Sequence, residues 1–269
     1  MTTLVLFGPG YCGARIAAAL TARGWRVVAV GRDGAGAAAL AEASHVLSTV
    51  PPGEAGDPIL MRHGDAIGRV PWIGYLSSTG VYGDAGGAWV DERAPLAGRR
   101  GPRLAADAAW LALGARVLRL PGIYGPGRSV IDRLAAGMAH RVDVPGQVFS
   151  RVHVDDIVGG VLAAIDRGPA GAYNLADDQP CPQNRLVEWA APLIGLPLPP
   201  LLSLAQAGLS PAARAFYAEN RRVANGKAQR LLGWRLLYPD YRAGLRPLIA
   251  TSRPPIASAA PAAAPAVQR

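Results

Sequence analysis

Gly8, Gly10 and Gly13 are spaced as G-x-G-x-x-G, directly after the apolar run Thr3 to Phe7 and directly before Ala14 to Arg23, a stretch of helix composition. Strand, glycine loop and helix in that order form the context in which this spacing binds the pyrophosphate of a dinucleotide. Gly8 permits the tight turn. Gly10 has no Cβ, so the main chain can approach the phosphates. Gly13 lets the helix pack closely on the strand. The N–H groups at the helix start then face the phosphates, where the helix dipole favours negative charge. Tyr11 and Cys12 lie inside the loop and are expected beside the cofactor, Cys12 as a small packing residue. Further on, Gly31-Arg32-Asp33 ends the next apolar run. An arginine in that zone suits the 2′-phosphate of NADP, and an acid suits the 2′-hydroxyl of NAD. Arg32 favours NADP, and the adjacent Asp33 keeps NAD open.

These residues need a scaffold that brings several strand ends to one edge. The pattern predicts strands at 25–30, 45–50, 72–76 and 115–120, and helices at 35–43, 58–68 and 104–113. Strands alternating with helices imply an α/β fold, a Rossmann-type doubly wound parallel sheet. Ser48 and Thr49 end the third strand, on the edge where open α/β sheets bind ligands, and are expected at the cofactor. After Pro121 the pattern is less regular. A loop is expected at 122–127, a helix at 130–140, an extended stretch at 149–154 and a helix at 155–166. Proline-rich chain follows, with helices at 183–191 and 225–232. The expected organisation is a dinucleotide domain at 1–175, with 121–150 contributing to a small substrate lobe at 176–250, and an Ala/Pro-rich disordered tail at 251–269.

Composition narrows the partners. The chain has 269 residues, 50% hydrophobic and 17% charged, which describes a globular protein. Net charge is +9, and Lys227 is the single lysine, so the other 27 cations are arginines. No charge cluster is interleaved with aromatics as a nucleic-acid groove requires, and an anionic cofactor or substrate is the expected use of a basic cleft. Cys12 and Cys181 have no metal-ligand spacing, and His45, His63 and His140 are scattered, so no metal is expected. There is no G-x-S-x-G for serine hydrolase chemistry. The uncharged stretch Trp189 to Ala213 is interrupted by five prolines, which argues against a membrane span. With no secretory signal pattern at the N-terminus, a cytoplasmic location is the expectation.

Four segments in order carry a resemblance. They are the fingerprint at 8–13, Leu76-Ser77-Ser78-Thr79-Gly80-Val81-Tyr82-Gly83, Arg119 to Gly127, and Arg151-Val152-His153-Val154-Asp155-Asp156-Ile157. Together the chain resembles an extended short-chain dehydrogenase/reductase of the NAD-dependent epimerase/dehydratase type. Gly31-Arg32 and Pro51-Pro52-Gly53-Glu54 look like its atypical branch, which includes the YeeZ-like proteins. The resemblance implies hydride transfer at a nicotinamide. A serine positions the substrate oxygen, a tyrosine moves its proton, and a lysine four residues later holds the ribose and lowers the tyrosine pKa. Ser78 matches the serine, and Ser77 beside it is expected at the cofactor. The pair is missing: four residues before Lys227 stands Val223, so no Tyr-x-x-x-Lys exists. Alignment puts Arg103 at the lysine position and Arg99 at the tyrosine position. Arg103 can hold ribose hydroxyls, whereas Arg99 cannot exchange a proton.

Two functions remain open. One is an NAD(P)-dependent oxidoreductase or epimerase-like enzyme acting on a small anionic substrate, a nucleotide sugar or carbonyl compound. Its catalytic set is Ser78, Arg103 and a substitute proton shuttle, Tyr82 first and Tyr124 second. The other is a non-catalytic NADP(H)-binding sensor or scaffold. His153 with Asp155 is expected to form a structural hydrogen bond. Arg221-Arg222 could meet a substrate phosphate or lie on the solvated surface. The resemblance also carries the expectation of a homodimer, paired through helices like 104–113.

Overall fold

The computed structural model describes residues 1–31 and 37–252, the side chains of Ala37, Ala212 and Ser252 excepted. Its first elements are β1 (Thr3–Phe7), α1 (Tyr11–Ala22), β2 (Arg26–Val30), α2 (Ala37–Leu40), β3 (His45–Ser48), α3 (Pro58–Ile67), β4 (Trp72–Ser78) and α4 (Gly101–Ala112). Every residue of β1 is buried. That is why β1 reads as one apolar run and not as an alternating one. Leu4 and Leu6 pack on one face with Ile16 and Leu20 of α1. Val5 and Phe7 pack on the other with Ile67 of α3 and Trp110 of α4. Each such side chain contributes about 1.5–3 kcal/mol by leaving water. Asp57 starts α3 by accepting from the N–H groups of Ile59 and Leu60 at 2.9 and 3.0 Å. Its other oxygen accepts from Trp110 Nε1 at 2.8 Å, tying α3 to α4.

Six strands pair in parallel in the order Gly171–Asn174, Arg116–Leu120, β4, β3, β1, β2. This is the Rossmann-type α/β sheet that the alternating pattern predicts. The strand order reverses between β1 and β3. A doubly wound sheet opens its ligand crevice outside the carboxyl ends of the strands at such a point. Gly8 follows β1 and Thr49 follows β3 there, and Thr49 Oγ1 donates to the Gly8 carbonyl at 2.6 Å.

Beyond the strand ends lies a second apolar cluster, including Tyr124, Ile131, Leu134, Leu186, Val187, Tyr241 and Leu245. Several sequence expectations need correction here. The expected loop at 122–127 begins as a short strand, Gly122–Tyr124, paired in parallel with Arg151–His153. The expected helix at 130–140 stops at Ala135. Gly137 takes φ 65°, and the Met138 N–H donates back to the Arg133 carbonyl at 2.8 Å, a left-handed glycine stop. Two helices were not foreseen, Pro211–Phe216 and Tyr241–Ser252; the second runs into the start of the expected tail. Residues 253–269, and Arg32 and Asp33, lie outside the described residues. Among the described residues no helix is long and apolar enough to cross a membrane.

Candidate active site

Helix α1 begins at Gly10 with no side-chain cap and no acid in its first turn. Among the described residues its first N–H groups therefore have no side-chain acceptor, the arrangement that takes an anion. The three glycines differ in what they spare. Gly8 sits at φ 82°, and a Cβ there would lie 2.9 Å from both Thr49 Oγ1 and Val50 Cγ2. A Cβ at Gly13 would collide with the Gly8 carbonyl oxygen. At Gly10 an added Cβ meets no atom of the described residues within 4 Å. Gly10 instead borders a cavity of about 840 Å³, so the space it leaves belongs to that cavity. Such a hollow beside uncapped amides fits the pyrophosphate of a dinucleotide.

The cavity continues from Gly10, Tyr11 and Cys12 past Thr49 and Pro51, along Ser77 to Gly80 at the end of β4, and beside Arg103 of α4. Its far wall includes Arg133, His140, Phe149, Arg151, Tyr217, Glu219 and Arg221. Seven arginines border it, and Glu219 is its only carboxylate among the described residues. A field of that sign concentrates anions. Burial works against the Glu219 charge, but hydrogen bonds from Arg99 and Arg221 outweigh it and hold its pKa below the usual carboxylate value. Burial pushes the His140 pKa down, with Arg133 adding to the effect, which favours the neutral imidazole. The Tyr217 hydroxyl is pushed up by burial.

The expected cofactor residues divide. Gly10, Tyr11, Cys12, Thr49, Ser77 and Arg103 border the cavity, as does Ser78, the expected catalytic serine. Gly8, Gly13 and Ser48 lie behind it, the first two shaping the loop and Ser48 fully buried. Tyr11 donates to the Pro126 carbonyl at 3.1 Å, with the Arg15 and Arg128 guanidiniums 4.2 and 5.7 Å from its ring centre. Ser77 spends its hydroxyl on Asp107 Oδ2 at 2.6 Å. Ser78 Oγ accepts from the Gly80 N–H at 3.1 Å, and among the described residues no acceptor takes its own proton. Among the described residues no carboxylate pairs with Arg103. Burial lowers its pKa, yet a guanidinium stays charged.

Tyr82 is not brought to the cavity. It is 3% exposed, its hydroxyl donates to Asn174 Oδ1 at 2.7 Å, and it accepts from Arg119 Nη1 at 3.0 Å. Arg119 in turn forms two hydrogen bonds with Asp107, at 2.7 and 3.1 Å, and both partners are buried. Burial raises the Tyr82 pKa, despite the cation beside it. Tyr124 is likewise buried, with its hydroxyl 3.4 Å from the Asp240 carbonyl. His153 caps the helix Val154–Arg167, accepting from the Asp155 N–H at 3.2 Å, the structural bond expected of it.

Sequence reasoning missed much of the far wall. Arg128 follows the Gly-Pro-Gly of the third segment, which could have flagged it. Arg133, His140, Phe149, Tyr217 and Glu219 carry no local signal, because only the tertiary fold brings them to the cleft.

No protein-family profile matches the chain. A conserved protein from Silicibacter pomeroyi, described as functionally unknown, is 40% identical over 94% of this chain and 100% of its own, with a TM-score of 0.85. YeeZ of Escherichia coli is 26% identical over 89% of this chain and 97% of its own. A Streptomyces 3-diazoavenalumate denitrifying reductase is 31% identical over 140 residues. That match covers 48% of this chain and 45% of the reductase, less than half of either. At lower identity the fold alone is shared. MoeE5, solved with UDP-glucuronic acid and NAD, is 21% identical over 90% of this chain and 96% of its own, with a TM-score of 0.76. A human epimerase family protein, SDR39U1, solved with NADPH, is 17% identical over 93% and 99%, with a TM-score of 0.74. Of these fold neighbours, one was thus solved with NAD and another, an epimerase family protein, with NADPH.

Proposed function

The chain belongs to the family of the conserved Silicibacter pomeroyi protein, and from that premise we propose that it is an NAD(P)-dependent oxidoreductase or epimerase-like enzyme acting on a small anionic substrate. The likeness to YeeZ along 89% of the chain supports a place in that branch. One observation carries the reading. A single cavity joins the uncapped amides of α1 to a wall of arginines, so a dinucleotide and an acidic substrate can meet inside it. The glycine loop, Tyr11, Cys12 and Thr49 would hold the cofactor. Arg103 would take the ribose hydroxyls in place of the missing lysine. Arg32 supports NADP over NAD. Bound NAD(P) supplies or accepts a hydride.

Ser78 has a hydroxyl proton to offer the substrate oxygen. Proton exchange falls to His140, the imidazole on the cavity wall. With its neutral form favoured by burial, it can accept the proton of a substrate hydroxyl as hydride passes from that hydroxyl's carbon to the bound cofactor. The test is oxidation or reduction of NADP(H) with sugar nucleotides, small carbonyl compounds and aryl diazo compounds. The last belong in the panel because hydride delivered to a diazonium carbon expels dinitrogen and needs no enzymic proton. Turnover with any of them upholds the proposal.

The enclosed Tyr82 and the missing lysine favour a second reading, a non-catalytic NADP(H)-binding sensor or scaffold. NADPH binding with no turnover across the panel would support it.

A further inference from the structure

The one carboxylate of the cavity wall is already engaged. Glu219 Oε1 accepts from Arg99 Nε at 2.9 Å, and Oε2 accepts from Arg221 Nη1 at 2.7 Å. Arg99 comes from the turn that enters α4. Glu219 and Arg221 come from the segment that follows the helix Pro211–Phe216. Both guanidiniums are aimed by bonds that do not involve the carboxylate. Arg99 Nη2 donates to the Ala215 carbonyl at 2.8 Å, and Arg221 Nη1 to the Gly83 carbonyl at 2.6 Å. The backbone here is also anchored. The Glu219 carbonyl accepts from Gln147 Nε2 at 2.8 Å, and the Asn220 N–H donates to Asp84 Oδ1 at 2.7 Å. Among the described residues the Glu219 carboxylate has no partner beyond the two arginines. If it swung away, two positioned guanidiniums would remain on the cavity wall.

We propose that Arg99 and Arg221 form an oxyanion subsite for a carboxylate or phosphate of the ligand, and that the Glu219 carboxylate fills it in the free protein as an internal stand-in. This rests on the reading of the cavity as a cofactor and substrate site. A ligand oxyanion exchanges with the Glu219 carboxylate, so the two forks always hold two acceptor oxygens. No covalent bond changes. The exchange selects ligands that carry an acidic group, because a neutral ligand cannot replace the ion pairs it would break. Arg99 stands where the resembling enzymes carry their tyrosine, so a fixed charge that binds replaces a group that would donate a proton.

Calorimetric titration with malonate and with inorganic phosphate tests this on the wild type, Glu219→Gln, Arg221→Ala and the double variant. Glu219→Gln should bind at least one anion about five-fold more tightly or better, within the usual range of site coupling, and the gain should vanish when Arg221 is also replaced. A gain for malonate alone assigns a carboxylate, and for phosphate alone a phosphate. Unchanged or weaker binding to Glu219→Gln overturns the proposal. So does an equal gain in the Arg221→Ala background, which would mean a diffuse field and not a subsite. Glu219→Asp, shorter by one methylene, reads the same way if the glutamine variant does not fold. NADPH titration of the wild type in parallel separates the two ideas: if NADPH fails to bind, the cofactor reading falls, whatever the anions do.

Discussion

Tyr82 shows how a residue with the right chemistry can be unavailable for it. Its hydroxyl gives its proton to Asn174 and takes one hydrogen bond from Arg119, so both directions are used inside the protein. Tyr82→Phe should therefore cost about 1–3 kcal/mol of stability by stranding buried partners and leave NADPH affinity unchanged. Thermal melts and a cofactor titration read the two separately. A loss of turnover without loss of stability would return Tyr82 to the proton pathway. Arg32 makes the opposite kind of prediction. Arg32→Ala should weaken NADP by about ten-fold or more and NAD little, the loss of a charged contact with the 2′-phosphate. Equal weakening of both would remove that role.

At the scale of elements, the decisive contact is between strand and helix. The Gly8 carbonyl leaves no room for a Cβ at Gly13. Gly13→Ala should then push α1 off β1, lowering the melting temperature and cofactor affinity together. Retained stability with normal binding would show that the helix can shift without harm. This unit was legible in the sequence because all of its parts lie within twenty residues and its apolar run, glycines and helix follow one another. The partners of Tyr82 were not legible. Asn174 is 92 residues away and Arg119 is 37, and no local pattern announces such a meeting. The strand Gly122–Tyr124 reads as a loop in sequence for the same reason, since its partner strand starts at Arg151. Gly137 was visible, but its left-handed turn depends on the Arg133 carbonyl being free to accept.

For the whole molecule, stability should depend on pH through Asp177. Its side chain is buried, and burial pushes its pKa up to about 7, outweighing the Arg151 charge and the backbone N–H groups of Gln179 and Arg151 that act the other way. The native state thus holds this proton more tightly than the unfolded chain, whose aspartate titrates near 4. The favourable contribution is complete below about pH 4 and is lost as the pH rises to 7. Asp156, raised by burial to about 6, acts in the same direction. Asp177→Asn should melt above the wild type at pH 8, by on the order of 5 °C, with the gap narrowing at pH 5. A gap that is constant or widens on acidification would contradict the burial argument.

The central claim is that the hollow beside Gly10 is the place of a pyrophosphate. Titration of the wild type and of Gly10→Val with NADPH, followed by calorimetry, tests it most directly, because an added Cβ there meets no atom of the described residues within 4 Å and the substitution should spare the fold. The account predicts saturable binding to the wild type and none to the variant, with equal melting temperatures for the two free proteins. Equal affinity in both would contradict it.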